Sequence, residues 1–530
     1  MMKKAGLLAL IMVSFSGLLA ADEAGFQSFL QAERNGWQAQ QAFLHCDRYL
    51  QGWLHHREPQ SGLIPRNLTR NWFWNAQDAA ADNYPFMVLT AALLNESLFR
   101  TTMLEMLDAE TILTSRLDHL PDDYDFATQN FRTREIDLDH LIFGGSEYIK
   151  DGLIPLTEWL GESPWSERML NIMQSIWEHA PVETDYGRIP STSHEINGEQ
   201  LQTLNRLYWM TGNEKYRTWA FRLADYYFAE HNPVEAEQLR LRDHGCEVIS
   251  GLAEVYFLAY HTDKERYQKY QKPMHRILDR ILEVGTNEDG LFYDIINPKT
   301  GEKISNRISD NWGYNYNAFL NVYQLDGKEE YRQAVERILG NIIKYVNFSW
   351  EGNSADGYAD AIEGGLNLLN RIPVDKGFQW VDESMKILLN MQRPDGIIEG
   401  WHGDGNFART ALMYALWKTR GVHVSPWNGG LAFGAEQYGD ELFLSLRSDW
   451  NWQGFLLFDI PRHQFNLHLP SDYPRINQFP EWFTVEPEAA YEITINAQET
   501  LTRSGRQLHE GFALAVQPDH PIYLHIRKID

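Results

Sequence analysis

Cysteine is nearly missing from this chain: Cys46 and Cys246 are the only two in 530 residues. Two thiols cannot build a cysteine zinc site, and a chain this long has core enough to fold without a disulfide, so both are expected as buried free thiols. Positive charge is short as well. Lys and Arg number 47 against 73 Asp and Glu, a net charge of −26, which excludes nucleic-acid binding by general electrostatics. The sequence contains no GxSxG, GxxxxGK[ST] or HExxH, so serine-hydrolase, nucleotide-binding and zincin chemistry lack their anchoring residues. No twelve-residue calcium loop is present either. The chain is expected to need no cofactor and no metal.

Long apolar runs are absent beyond the first twenty residues. The single one, Ala5 to Leu19, follows Lys3 and Lys4 and ends at the small residues Ala20 and Ala21. That pattern predicts a secretory signal over 1–21, too short for a good membrane span, and hence a periplasmic or secreted protein with no membrane association after cleavage.

What the chain has in abundance is one theme restated. A Gly, Asp and Asn-rich stretch studded with aromatics and carboxylates runs into an apolar segment. It occurs at Asn75–Pro85, Phe143–Gly152, Ser193–Gln200, Asp243–Gly251, Ser309–Asn317, Ala355–Gly365 and Trp401–Thr410. The recurrence interval, roughly 45–70 residues, is that of a helical hairpin with its loops. From about Phe26 to Arg420, segments apolar nearly all round (Leu201–Met210, Leu252–Tyr260) alternate with amphipathic, charge-rich ones (Glu214–Glu230, Asp263–Glu283). Such alternation predicts inner helices sheathed by outer ones. Short turns such as Thr211-Gly212-Asn213 would join inner to outer helices, and the carboxylate-bearing stretches would be loops at the opposite rim. The fold class expected is mainly α, an (α/α)6 toroid with seven hairpins also allowed, over 22–422. After it the texture changes to short alternating runs such as Tyr491–Asn496, which predict a C-terminal antiparallel β module over 423–530.

The stretches DNYPF (Asp82–Phe86), DHGCEV (Asp243–Val248), SDNWGYNYN, DGYADAIEGG and GDGNFART, with the helical alternation and β tail, resemble the six-hairpin (α/α)-toroid carbohydrate-active enzymes, a group that includes uronyl hydrolase-like glycosidases and polysaccharide lyases. DHGCEV is similar to a His-Cys-Glu stretch of β-L-arabinofuranosidases, but their zinc-bound cysteine cluster cannot be built from two cysteines. The resemblance implies an oligo- or polysaccharide substrate, one that includes uronic acids among the options. Glycoside hydrolysis needs one protonated and one ionised carboxyl flanking the bond. Candidates for that pair are Asp243 or Glu247 from one stretch and Asp310 or Asp360 from another. His194, Glu195 and His244 would contact sugar hydroxyls or a uronate carboxylate. Trp312, Tyr314 and Trp401 would offer aromatic surfaces, and Arg409 a cation. Glu247 and Glu363 are conspicuous because each sits in an otherwise apolar segment, where an unpaired charge is costly. A lyase would draw its base and carboxylate-neutralising groups from His194 with Glu195 and Asn197, His244, Tyr314, Tyr316, Asn311 and Arg409. A third possibility is a glycan-binding protein without catalysis. Oligomeric state is open.

Overall fold

The computed structural model describes residues 23–529 apart from Asn71, so the signal expected over 1–21 lies outside the described residues. Helix α1 (Glu23–His55) is the first element among the described residues. Then come α2 (Tyr84–Leu94), entered through a wide π-type turn at Ala76–Asn83, α3 (Leu104–Thr114), and α4 (Leu138–Glu147) continued by a second π-type turn into α5 (Ile154–Leu160). Helices α6 (Pro164–Glu178), α7 (His194–Thr211), α8 (Glu214–Ala229), α9 (Glu247–Thr262), α10 (Lys264–Val284) and α11 (Trp312–Asp326) follow. The ring is completed by α12 (Glu329–Asn341), α13 (Ala355–Arg371), α14 (Asp375–Asn390) and α15 (Asn406–Lys418).

Burial sorts these helices into two rings. In α9, every residue from Glu247 to Ala259 is buried, as an all-apolar inner helix must be. In α10 the buried residues are Tyr270, Met274, Ile277, Leu278 and Ile281, a single stripe at helical spacing. Inner helices pack in sequence: α2 on the α4–α5 unit, then α7, α9, α11, α13 and α15, and α15 returns to α1 and α2 to close the circle. The ring therefore has seven inner helices among the described residues, which selects the larger of the two expected hairpin numbers. Links from inner to outer helices are tight; Gly212 and Gly327 end α7 and α11 in the left-handed region, at φ 65° and 67°.

Several stretches expected as rim loops are helical. His194 already begins α7, and Phe143–Gly152 lies wholly within the α4–α5 unit. Their glycines serve packing between helices. A Cβ on Gly198 would overlap the Glu247 backbone, and one on Gly313 would overlap the backbone of Gly364, so neighbouring inner helices touch main chain to main chain there. Gly313→Ala should destabilise the protein by about 1–3 kcal/mol, as overpacking does, readable as a lower urea midpoint. A midpoint equal to the parent's would show that the α11–α13 contact yields easily.

Beyond α15 lie eight strands: β1 (His423–Ser425), β2 (Leu431–Tyr438), β3 (Glu441–Ser448), β4 (Trp452–Leu457), β5 (Ala490–Ile495), β6 (Glu499–Ser504), β7 (Phe512–Val516) and β8 (Ile522–Ile529). They form an antiparallel five-stranded sheet, order β2-β3-β8-β5-β6, and a three-stranded one, order β7-β4-β1. Strand β2 lies along α1, where Gly434 faces Gly36 and Asn35 donates to the Ala435 carbonyl at 2.7 Å.

Between β4 and β5 the chain leaves the sheets and closes the ring from beneath. Tyr473 donates to Glu254 of α9 at 2.8 Å and accepts from Asn205 of α7 at 2.5 Å. Arg475 pairs with Glu158 of α5, and Asp472 with Arg371 of α13 at 2.6 Å. Asn477, at φ 61°, reaches furthest: its amide donates to Asp151 at 2.6 Å, its carbonyl oxygen accepts from Arg409 at 2.9 Å, and its backbone N–H donates to Glu363 at 2.7 Å. Polar side chains buried along the ring axis thus find partners in a segment far away in sequence.

Candidate active site

Opposite this plug, the N-terminal halves of the inner helices surround a cavity of about 920 Å³. Six of the seven hairpins line it; α7 does not. Asp78 and Asp82 come from the turn into α2, and Glu147, Lys150 and Asp151 from the α4–α5 unit. Asp243 and Glu247 enter with α9, Asn311 and Tyr314 with α11, Asp356 and Asp360 with α13, and Asp404 and Asn406 with α15.

The structure gathers several of the expected residues here. Asp243, Glu247, Asp360, Tyr314 and Trp401 all line the cavity. Asn311 bridges two of them: its side-chain oxygen accepts from the Asp243 N–H, and its amide donates to Asp360 at 2.9 Å. Asp243 itself sits at φ 48°, an uncommon conformation for a non-glycine residue, and pairs with Arg240 at 2.5 Å. Glu247 is bound by Lys150 at 2.5 Å and by Gln202. Trp401 is 67% exposed at the mouth, with the Arg66 guanidinium 5.1 Å from its ring centre.

Other expected site residues lie elsewhere. Trp312 is 0% exposed and packs edge-on against Trp380; it is core, and no sugar can stack on it. Asp310 is buried behind the cavity wall, its pKa raised by burial and by Asp360. His194 packs against Tyr227, and neither it nor Glu195 lines the cavity, because α7 stands back from the mouth. Arg409 lies one layer beneath, bonded to Asp360 at 2.6 Å and to Glu363 at 3.0 Å. It is the partner that makes the buried Glu363 tolerable. His244 lies in the short helical turn Asp243–Cys246, and its side chain is outside the described residues. Both cysteines are buried and free.

Of the group with the most crowded charge, only Asp360 was among the pair expected from the sequence. Asp356 and Asp360 lie four residues apart on one face of α13, and Asp404 faces them from the start of α15. Burial, reinforced by Asp360, Asp404 and Glu351, raises the Asp356 carboxyl well above the usual range. Asn406 donates to it at 2.8 Å. Burial pushes Asp404 up to about 6, against the pull of His402. By contrast Arg409 at 2.6 Å, Asn311 at 2.9 Å and the Tyr314 hydroxyl at 3.0 Å all donate to Asp360. Across the mouth, burial would raise Asp78, but His402 and Arg66 outweigh it and hold it low. The signal for Asp356 was present as the i, i+4 spacing within ADGYADAIEGG, yet spacing alone does not reveal which of two aspartates shares its surroundings with a third.

Three sets of side chains here bring ligand atoms within 4.8 Å of one another, as a shared cation would require: Asp78, Asp82 and His402; Asp122, Asp123 and His140; and Glu147, Asp151 and Glu199.

Raised carboxyls have a consequence for stability. Glu363, pushed to about 7 by burial against the pull of Arg409, and Asp404 at about 6 bind protons in the folded state that the unfolded chain releases near pH 4. Their stabilising contribution is full below that pH and lost as pH rises through the folded values. His402, where Asp82 and Asp78 outweigh burial and raise the pKa, acts in the same direction. His423, pulled down to about 4 by burial, opposes them below about pH 6.5. The thermal midpoint should therefore fall between pH 6.5 and 7.5, and Glu363→Gln should flatten the slope. A midpoint rising over that interval would contradict these assignments.

No family model matches the chain, and no curated protein does. Among solved structures it is similar to an inactive variant of the GH76A alpha-1,6-mannanase of Salegentibacter sp. HEL1_6 in complex with alpha-1,6-mannotetrose, at 12% identity over 71% of this chain and 98% of that one, TM-score 0.41. A possible member of the GH105 family from Salmonella enterica matches at 14% identity over 52% of this chain and 81% of that one, TM-score 0.40. Unsaturated glucuronyl hydrolase from Bacillus sp. GL1 matches at 12% identity over 54% and 86%, TM-score 0.38.

Proposed function

We propose that this protein is an exported carbohydrate-active enzyme that hydrolyses glycosidic bonds in an oligo- or polysaccharide. The observation that carries the reading is the carboxyl pair on α13. Burial, reinforced by Asp360, Asp404 and Glu351, raises the Asp356 carboxyl and favours its protonated form, while Arg409 lies against Asp360. A proton donor beside a fixed anion is the combination that glycoside hydrolysis requires. Asp356 would protonate the leaving oxygen. Asp360, or Asp243 joined to it through Asn311, would act as the ionised partner. Trp401 would stack on a sugar ring at the mouth.

Elimination is less well supported. The Tyr314 hydroxyl is buried with its one proton shared between Asp360 and Glu363, and burial raises its pKa, so it is poorly placed to take a proton from a substrate. His194, another of the candidate bases, is outside the cavity. A binding protein without catalysis has no use for a carboxyl whose pKa burial and neighbouring acids raise. Among the described residues no helix is long and apolar enough to cross a membrane.

The test is incubation with a panel of neutral, amino and acidic glycans, following both reducing ends and the absorbance of unsaturated uronates. Reducing ends without that absorbance are expected. A rise in the absorbance, or no product from any glycan, would overturn the reading.

A further inference from the structure

The sign of the charge inside the cavity restricts what can enter it. Twelve carboxyl groups line the wall, against five basic side chains. Each of those five is already matched. Arg66 pairs with Asp78, and His140 with Asp123. Lys150 lies between Asp151 and Glu247. Arg393 pairs with Asp395 and Glu399, and His402 faces Asp78 and Asp82. Arg409, just beneath the floor, is held by Asp360 and Glu363. Among the described residues, then, no cation on the wall is left to balance the carboxylate or sulfate of an acidic sugar.

A pocket walled by protein and crowded with one sign of charge focuses that field on whatever enters. An anionic sugar would be repelled by those wall carboxyls that are ionised and would gain no new ion pair. An ammonium group would find several acceptors at once and would relieve the crowding among Asp356, Asp360 and Asp404. We infer that the cavity ranks sugars by charge, binding free amino sugars most tightly, neutral hexoses next and uronates least. The inference rests on the carbohydrate reading above and narrows it to substrates without negative charge.

The experiment is direct titration of the full chain with the methyl glycosides of glucosamine, glucose and glucuronic acid, read by ligand-observed NMR at low salt and mildly acidic pH. Roughly ten-fold steps in affinity are expected between successive members, compressed at high salt as screening weakens surplus-charge effects. Because the whole protein is acidic, the location is checked with Glu351→Gln and Asp243→Asn. Each removes one wall charge and should reduce the advantage of the amine roughly two-fold. Glucuronide binding as tight as the glucoside, no binding of the glucosaminide, or an amine advantage unmoved by both variants would overturn the inference. Binding is read without turnover. The ranking can therefore survive if no glycan is cleaved, and it can fail in an active hydrolase.

Discussion

Asp356→Asn should lower kcat/KM about 10²–10⁴-fold, the range a positioned general acid supplies, while leaving the thermal midpoint near that of the parent. The side chain is nearly isosteric, and the carboxamide oxygen can still accept from Asn406 as the carboxyl does at 2.8 Å. Since burial raises the native carboxyl and favours its neutral form, the neutral amide should cost the fold little. What it removes is the transferable proton. The same logic sets a pH signature: in the parent, kcat should fall on the alkaline side as Asp356 ionises, and that limb should vanish in the variant. Asp360→Asn should also cost activity heavily, but with a loss of stability, because Arg409 would keep only Glu363 as a charged partner at 3.0 Å. A variant at Asp356 with full activity and an unchanged alkaline limb would remove it from the chemistry.

The second large effect is expected far from the cavity. Arg475 is fully buried at the base of the ring, paired with Glu158 and bonded to Asp472 at 2.9 Å and to the Tyr473 carbonyl at 2.7 Å. Burial would raise Glu158, but Arg475 outweighs it and holds the carboxyl low. Arg475→Ala strands that carboxylate in the core, and breaking a buried pair from one side costs about 3–5 kcal/mol. Chemical denaturation should show this as a large fall in midpoint. Arg475→Ala combined with Glu158→Gln should recover part of it, since the second change removes the uncompensated charge. No recovery in the double variant would mean that the arginine contributes through packing and its bonds within the plug, not through Glu158.

Much of the architecture could be read from periodicity. All-round apolar stretches such as Leu252–Tyr260 became inner helices, striped ones such as Asp263–Glu283 became outer helices, and the alternating run at Tyr491–Asn496 became a strand. Helical boundaries were harder. Glycine and asparagine in Phe143–Gly152 and Ser193–Gln200 look like turn formers, whereas Gly144, Gly145 and Gly198 are small because an adjacent helix lies against them. Local propensity does not carry that information; it depends on which helices become neighbours.

The site was legible in part for the same reason. Carboxylates spaced through the repeats do converge on one mouth, and Asp243, Glu247 and Asp360 meet there. Trp312 could not be told from Trp401 by composition, since both sit in aromatic, Asp-rich stretches; the first turns into the core and the second faces solvent. The plug was not legible at all. Asp472, Tyr473, Arg475 and Asn477 follow the first sheet strands in an irregular stretch, and nothing local in it announces partners in five inner helical units. Their complement was visible only as buried charge in apolar segments, such as Glu363, whose partners Arg409 and Asn477 come from 46 and 114 residues away.

The measurement that bears most directly on this account is a crystal structure of the Asp356→Asn protein soaked with a neutral or amino oligosaccharide that the parent cleaves. Sugar density should run through the cavity, with a glycosidic oxygen facing residue 356, Asp360 and Asp243 on its border, and a ring lying against Trp401. Density on the β sheets or the outer helices, with only solvent in the cavity, would contradict it.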